Sequence, residues 1–158
     1  MGFDIKTNSV IIDADGCPVA KSAAKICYEY NASCVLVCDS AHIFSPQSVY
    51  NAKVVTVAQG ADSADFYIVN HIAENDIVIT QDYGLAAMCL AKRTYVINQN
   101  GQVYTDQNIG GLLEKRAIGK KIRRSGGRTK GPKKRTVEQD ELFIKTLRRL
   151  LSNGKGSN

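Results

Sequence analysis

Ser9-Val-Ile-Ile-Asp-Ala-Asp-Gly-Cys-Pro-Val19 decides the fold. Val10 to Ile12 form a β-branched run, which favours an extended segment buried on both faces, as in a parallel sheet. The run ends on Asp13, and one small residue later comes a second carboxylate, Asp15. Gly16 and Pro18 then turn the chain toward a helix. In an open α/β sheet, residues at the carboxyl ends of the strands line the ligand crevice. The stretch therefore predicts two carboxylates at the mouth of such a crevice. Carboxylates that close repel each other unless a cation or a proton stands between them, so a metal is the economical reading.

The same pattern recurs downstream. Pro18 to about Asn31 is predicted helical, because proline is tolerated in a first turn. Ser33–Cys38 and Lys53–Val57 read as the second and third strands, Ile77–Thr80 as the fourth and Thr94–Ile97 as the fifth. The stretch 41–52 has no clear pattern. Helices are predicted from Asp62, as N-cap, to about Glu74, over Tyr83–Ala91, and from Thr105, as cap, to about Ala117. Asn100-Gly101 is a tight-turn signal. The alternation predicts a three-layer α/β fold with a mainly parallel central sheet of about five strands, in a single domain over 1–151. Within it, 119–136 reads as a flexible basic loop broken by Gly126-Gly127 and Gly131-Pro132. Val137–Leu151 reads as a packing helix, with Leu142, Phe143, Leu147 and Leu151 at helical spacing, and 152–158 as a disordered tail.

The net charge of +6 is unevenly spread. Residues 1–114 carry six Lys and Arg against twelve Asp and Glu, whereas 115–135 carry eleven basic residues and no acidic one. An acidic body with one basic segment predicts a polyanionic partner. Lys120, Lys121, Arg123, Arg124, Arg128, Lys130, Lys133, Lys134 and Arg135 are the candidate nucleic-acid contacts, since Lys and Arg neutralise phosphates regardless of base sequence. No aromatics are interleaved there for base stacking, so a solvated charge run is the competing reading.

No apolar run reaches the roughly 20 residues of a membrane span, and the start shows no signal-peptide pattern. A cytoplasmic protein without a membrane partner is expected; homodimer formation is left open. Five cysteines without Cys-x-x-Cys spacing argue for buried free thiols rather than disulfides or structural zinc. A nucleophilic role for Cys17 is rejected, because no histidine is close in sequence and the neighbouring carboxylates disfavour a thiolate. His42 and His71 receive no role.

Three strand–helix junctions deliver carboxylates: Asp13 with Asp15, Asp62 with Asp65, and Asp82. Parallel strands would bring them to one sheet edge. Hard oxygen ligands suit Mg²⁺ or Mn²⁺, with several waters retained. Ser63 and Thr80 could support such a site through their hydroxyls. Aspartate is also a favoured cap and turn residue, and Asp39, Asp76 and Asp106 are read that way.

Asp13-Ala-Asp-Gly-Cys-Pro-Val19, Gly60-Ala-Asp-Ser-Ala-Asp65, Ile77-Val-Ile-Thr-Gln-Asp82 with Leu85-Ala-Ala87, and Gly131-Pro132 resemble, in order and spacing, the YaiI/YqxD family of bacterial proteins. That family usually has Ala at Gly16. Its members resemble PIN-domain nucleases, with acidic residues after the first and fourth strands, here Asp13 and Asp82, and others on an intervening helix, here Asp62 and Asp65. The resemblance implies a PIN-like fold and metal-dependent hydrolysis of phosphodiesters, in RNA before DNA, with Asp13, Asp62, Asp65 and Asp82 as catalytic residues and Asp15 adjoining as a metal ligand. Two other readings stay open. One is a non-catalytic RNA-binding protein with a structural ion site. The other follows from the likeness of Asp13-Ala-Asp-Gly16 to the opening motif of haloacid-dehalogenase-like phosphatases, although Cys17 stands where threonine is usual there.

Overall fold

The computed structural model describes residues 9–39, 44–60, 62–126 and 134–155. The elements in chain order are β1 (Val10–Asp13), α1 (Ala20–Glu29), β2 (Cys34–Cys38), a 3₁₀ turn (Pro46–Val49), β3 (Lys53–Thr56) and α2 (Ser63–His71). There follow β4 (Ile77–Ile79), α3 (Tyr83–Ala91), β5 (Tyr95–Ile97), β6 (Val103–Tyr104), α4 (Ile109–Arg124) and α5 (Val137–Lys155). The strands form one sheet in the order β3-β2-β1-β4-β5-β6, parallel except for β6, which pairs antiparallel with β5.

Both faces of this sheet are covered at its centre, which explains why β2, β4 and β1 up to Asp13 are apolar without alternation, whereas the edge strand β3 exposes Lys53 and Thr56. Val10, Ile12, Leu36, Ile77, Ile79 and Ile97 face a core shared with α1 and α5, where Phe143, Leu147 and Leu151 are buried. Ile11, Val37, Val78 and Val96 point to the other face and pack with Ile68, Leu85, Ala86 and Cys89 of α2 and α3. The expected three-layer α/β fold is therefore observed. The cysteines are free; Cys27, Cys34, Cys38 and Cys89 are buried and Cys17 half-buried.

Several boundaries differ from the sequence expectation. The sheet has six strands, not five: Asn100-Gly101 closes a β5–β6 hairpin whose second strand is too short to show periodicity. Asn98 organises its turn by accepting from the amides of Asn100 and Gln102, both at 2.9 Å. The basic loop expected over 119–136 begins later, because α4 continues to Arg124. Lys and Arg are good helix formers and one internal glycine costs only about 1 kcal/mol, so Gly119 does not break the helix. It ends at Arg124, with Ser125 as its C-cap, and Gly126 then turns the chain away with a φ of +81°. Thr105 does not cap α4 directly; it exchanges hydrogen bonds with Asn108, and the helix starts at Ile109. The last helix extends four residues beyond Leu151, into the stretch read as tail. His42, Gly131-Pro132 and residues 156–158 lie outside the described residues.

α5 is fastened to the hairpin at two points. The Arg135 guanidinium donates to Asp140 Oδ1 and Asn100 Oδ1, each at 2.6 Å, and to the Gln99 carbonyl at 2.5 Å. Thr146 Oγ1 donates to the Gly101 carbonyl at 3.0 Å. Gly101 has a φ of +80°, and a Cβ there would lie 2.7 Å from the Leu142 carbonyl oxygen. Only glycine allows the helix this close.

Candidate functional site

β1 and β4 lie side by side, and the chain leaves their carboxyl ends toward opposite layers, α1 on one face and α3 on the other. A crevice opens at such a switch point. Two adjoining depressions lie there, sharing Asp13, Asp15 and Asp82. One, of about 480 Å³, is completed by Gln81, Tyr83 and Arg116. The other, of about 430 Å³, is completed by Asp39, Val57, Gly60, Ala64 and Asp65.

Each shared carboxylate is held through one of its oxygens. Asp13 Oδ2 accepts from Thr80 Oγ1 at 2.8 Å. Asp15, in the turn where Gly16 has a φ of +69°, accepts through Oδ2 from the Asp39 amide at 2.9 Å. Asp82 is the N-cap of α3, its Oδ1 accepting from the amides of Gly84 at 2.8 Å and Leu85 at 3.2 Å. Arg116 Nη1 approaches the same oxygen at 3.3 Å. Gly84 makes room for this arrangement, since a Cβ on it would lie 3.2 Å from Asp82 Oδ1 and 3.3 Å from Arg116 Nη1. In all three residues the second oxygen takes no part in that anchoring.

The charges are felt mutually. Burial pushes the Asp13 carboxyl up from 3.8 to about 6; the Thr80 hydrogen bond opposes the shift, and Asp65, Asp82 and Asp15 add to it. Asp65 is likewise raised, by burial first, then by Asp82 and Asp62, with Arg116 opposing. Burial also raises the Cys17 thiol, and the Asp13 charge adds to this, so Cys17 is a poor nucleophile.

Of the residues expected at the site, Asp13, Asp15, Asp65 and Asp82 therefore come together. Asp62 does not join them. It precedes α2 with an exposed side chain, makes no side-chain cap hydrogen bond and lines neither depression. Ser63, half-buried at the start of α2, also lines neither. Thr80 is buried, its hydroxyl donating to Asp13 Oδ2 and accepting from the Asp82 amide at 3.0 Å. Asp76 is the turn residue it was read as, accepting from the amides of Ser9 and Ala73. Asp39 contributes to the site rather than to a cap.

Lys120, Lys121 and Arg124 are exposed on the last turns of α4, and Arg123 shares that segment. Lys134 is exposed, whereas Arg135 is committed to the hairpin and α5. Arg128, Lys130 and Lys133 lie outside the described residues. Arg116 and Gln81 were not anticipated. Arg116 stands one turn before Lys120 and begins the basic stripe, which is the one signal the sequence offered.

Among the described residues, no three His, Cys, Asp or Glu side chains converge closely enough to hold an ion between them. A closed cage of the zinc type does not fit. A hydrated hard cation needs less, since Mg²⁺ is commonly held by one or two carboxylates and keeps several waters. Asp13, Asp15 and Asp82 meet that requirement with oxygen donors alone, and their mutual repulsion leaves negative charge for a cation to balance.

A family model described as "Uncharacterized BCR, YaiI/YqxD family" matches residues 11–153. A UPF0178 protein of Exiguobacterium sibiricum is 50% identical over 141 residues, covering 89% of this chain and 94% of its own. A UPF0178 protein of Clostridium acetobutylicum is 41% identical over 148 residues, covering 92% and 98%. One from Clostridium kluyveri is 44% identical over 146 residues, covering 92% and 94%. No solved structure matches the chain at comparable significance.

Proposed function

The chain belongs to the YaiI/YqxD family, and we propose that it is a metal-dependent phosphodiesterase of PIN-like type acting on RNA. The observation that carries this reading is the meeting of Asp13, Asp15 and Asp82 in two adjoining depressions, with Asp65 lining one of them; burial first, and then the Asp65, Asp82 and Asp15 charges, lift Asp13 to about 6. Among the described residues only Arg116 stands against these carboxylates, and a pocket that gathers like charges in this way suits a cation from outside.

In this reading one or two of Asp13, Asp15 and Asp82 would bind Mg²⁺ or Mn²⁺ directly and the rest would act through its waters, with Asp65 beside them and Asp62 adding only to the surrounding field. When bound, the ion supplies polarisation of a phosphoryl oxygen and a water of lowered pKa. The chain's own part is positioning. Thr80, the Asp39 amide and the first amides of α3 each fix one carboxylate oxygen, and Arg116 offers a guanidinium at the rim where a phosphate would lie. Lys120 and Arg124 follow Arg116 one and two turns along α4, so that the basic stripe extends about 12 Å from the depression at 1.5 Å per residue. This line of charge would track a nucleic-acid backbone. No described helix is long and apolar enough to cross a membrane.

The test is cleavage of single-stranded RNA with Mn²⁺. Asp13→Asn and Asp82→Asn should each abolish it with the fold intact, and cleavage that persists in excess chelator would overturn the metal mechanism. The lack of three converging ligands favours a second reading, a non-catalytic RNA-binding protein with a loosely held ion. It predicts RNA retention without turnover under any divalent ion.

A further inference from the structure

A second cleft lies at the opposite end of the sheet, beside Cys34 and Lys53, where β2 and β3 begin. It has a volume of about 300 Å³, within the range of small-ligand sites. Tyr28 of α1 and Tyr50, just after the 3₁₀ turn, stand at it with ring centroids 5.5 Å apart. The pair is not core, since Tyr28 is 66% exposed and Tyr50 39%.

The backbone around the cleft is unusual. Five described non-glycine residues have positive φ, and three of them line it: Asn31 at 53°, Tyr50 at 54° and Asn51 at 58°. For the two asparagines this is an ordinary way to end a helical turn. For tyrosine it is strained, and this left-handed cap of the 3₁₀ turn sets the Tyr50 ring beside Tyr28. Backbone strain held in place by its surroundings concentrates at binding sites.

The polar lining limits the ligand. Among the described residues, Lys53 is the only charged side chain lining the cleft, no carboxylate lines it, and Asn31, Ser33 and Asn51 add neutral hydrogen-bonding groups. In a body where acidic residues outnumber basic ones, a lysine with no carboxylate among the described lining residues marks a place for an anion. Exposed rings stack planar bases with little regard to their identity.

We propose that this cleft binds a nucleotide, its base stacked on the exposed Tyr28 ring, which Tyr50 packs against, and its phosphate at Lys53, either as a free mononucleotide or as one residue of an RNA strand. The site is independent of the acidic depression and does not rest on the function proposed for it.

Binding is measured on the full chain in excess chelator, which keeps divalent ions out of the acidic depression. The readout is tyrosine emission, available because the chain has seven tyrosines and no tryptophan. Adenosine monophosphate should give a saturable change. Adenosine should bind more weakly, and ribose 5-phosphate should not saturate. Tyr28→Ala, at an exposed position, should weaken adenosine monophosphate by roughly tenfold, the usual scale of a lost base stack. Lys53→Gln should bring it to the affinity of adenosine. A short oligoribonucleotide that competes with, and binds more tightly than, the mononucleotide identifies an RNA residue as the occupant; one that fails to compete identifies the free nucleotide. Absence of saturation at millimolar adenosine monophosphate, binding unchanged by both substitutions, or binding that requires a divalent ion would each overturn the proposal.

Discussion

The Thr80 hydroxyl donates to Asp13 Oδ2 at 2.8 Å. It accepts from the Asp82 amide as well, at 3.0 Å, so one buried oxygen sets the relation between the ends of β1 and β4. Thr80→Val keeps the shape and removes both bonds. It leaves a carboxylate and an amide short of a partner, which should destabilise the fold by about 1–3 kcal/mol. Because the hydrogen bond holds the Asp13 carboxyl down, its loss should also move that group further up. Denaturant midpoints and carboxyl titration by NMR measure the two effects; an unmoved Asp13 would mean the bond does not form in solution.

Asp13 makes stability depend on pH. The folded protein holds the Asp13 proton more tightly than the unfolded chain does, with values of about 6 and 3.8. Folding therefore takes up a proton between these values, and stability falls as pH rises through that window. The loss is complete above about pH 6 and amounts to at most about 3 kcal/mol. Asp13→Asn should flatten the dependence from pH 4 to 6 and leave the metal-free protein more stable at pH 7 by about 1–2 kcal/mol. Added Mn²⁺ should raise the Tm of the original chain and not that of the variant.

Arg116 and Asp82 form a half-exposed ion pair, their side chains 40% and 38% accessible. Arg116→Met should therefore shift stability by less than about 1 kcal/mol. Its electrostatic effect is more specific, since the guanidinium holds the Asp65 carboxyl down and its removal should let that group rise. Under the proposed function the same change weakens RNA binding without altering the fold. An unchanged Asp65 titration would show that Arg116 points elsewhere in solution.

The basic residues divide into two kinds. Lys120, Lys121 and Arg124 lie on exposed turns of α4, and neutralising all three should flatten the slope of log affinity against log salt by about 2 for single-stranded RNA. Their place in the last turns also suits the helix dipole, so a small loss of α4 stability accompanies it. Arg135→Gln should behave in the opposite way, lowering the Tm through the lost contacts to Gln99, Asn100 and Asp140 while leaving the salt slope unchanged.

The layered α/β fold was legible because Val10–Ile12, Ser33–Cys38 and Ile77–Thr80 are short apolar runs separated by helical lengths, a pattern that allows few other arrangements. What escaped was local or long-range. Val103-Tyr104 is too short for any period, although Asn100-Gly101 pointed to it. Lys120 to Arg124 look like a loop when charge and glycine are weighed, and helical when the intrinsic preference of Lys and Arg is. At the site, Asp13, Asp15 and Asp82 were legible because each ends or follows a strand. Asp62 and Asp65 looked equivalent at a spacing of three residues, but only Asp65 lies within the helix and faces the depression. Arg116 and Arg135 could not be sorted by type, since what separates them is which distant carboxylate or carbonyl each one reaches.

α5 contributes Phe143, Leu147 and Leu151 to one face of the sheet, and it is synthesised after every strand it covers. A nascent chain ending ahead of Val137 holds all six strands, yet one side of its sheet lacks part of its apolar cover. Such a chain presents sticky surface to chaperones and to its own copies. The tight approach at Gly101 then acts as a latch, closing only when the last helix has emerged.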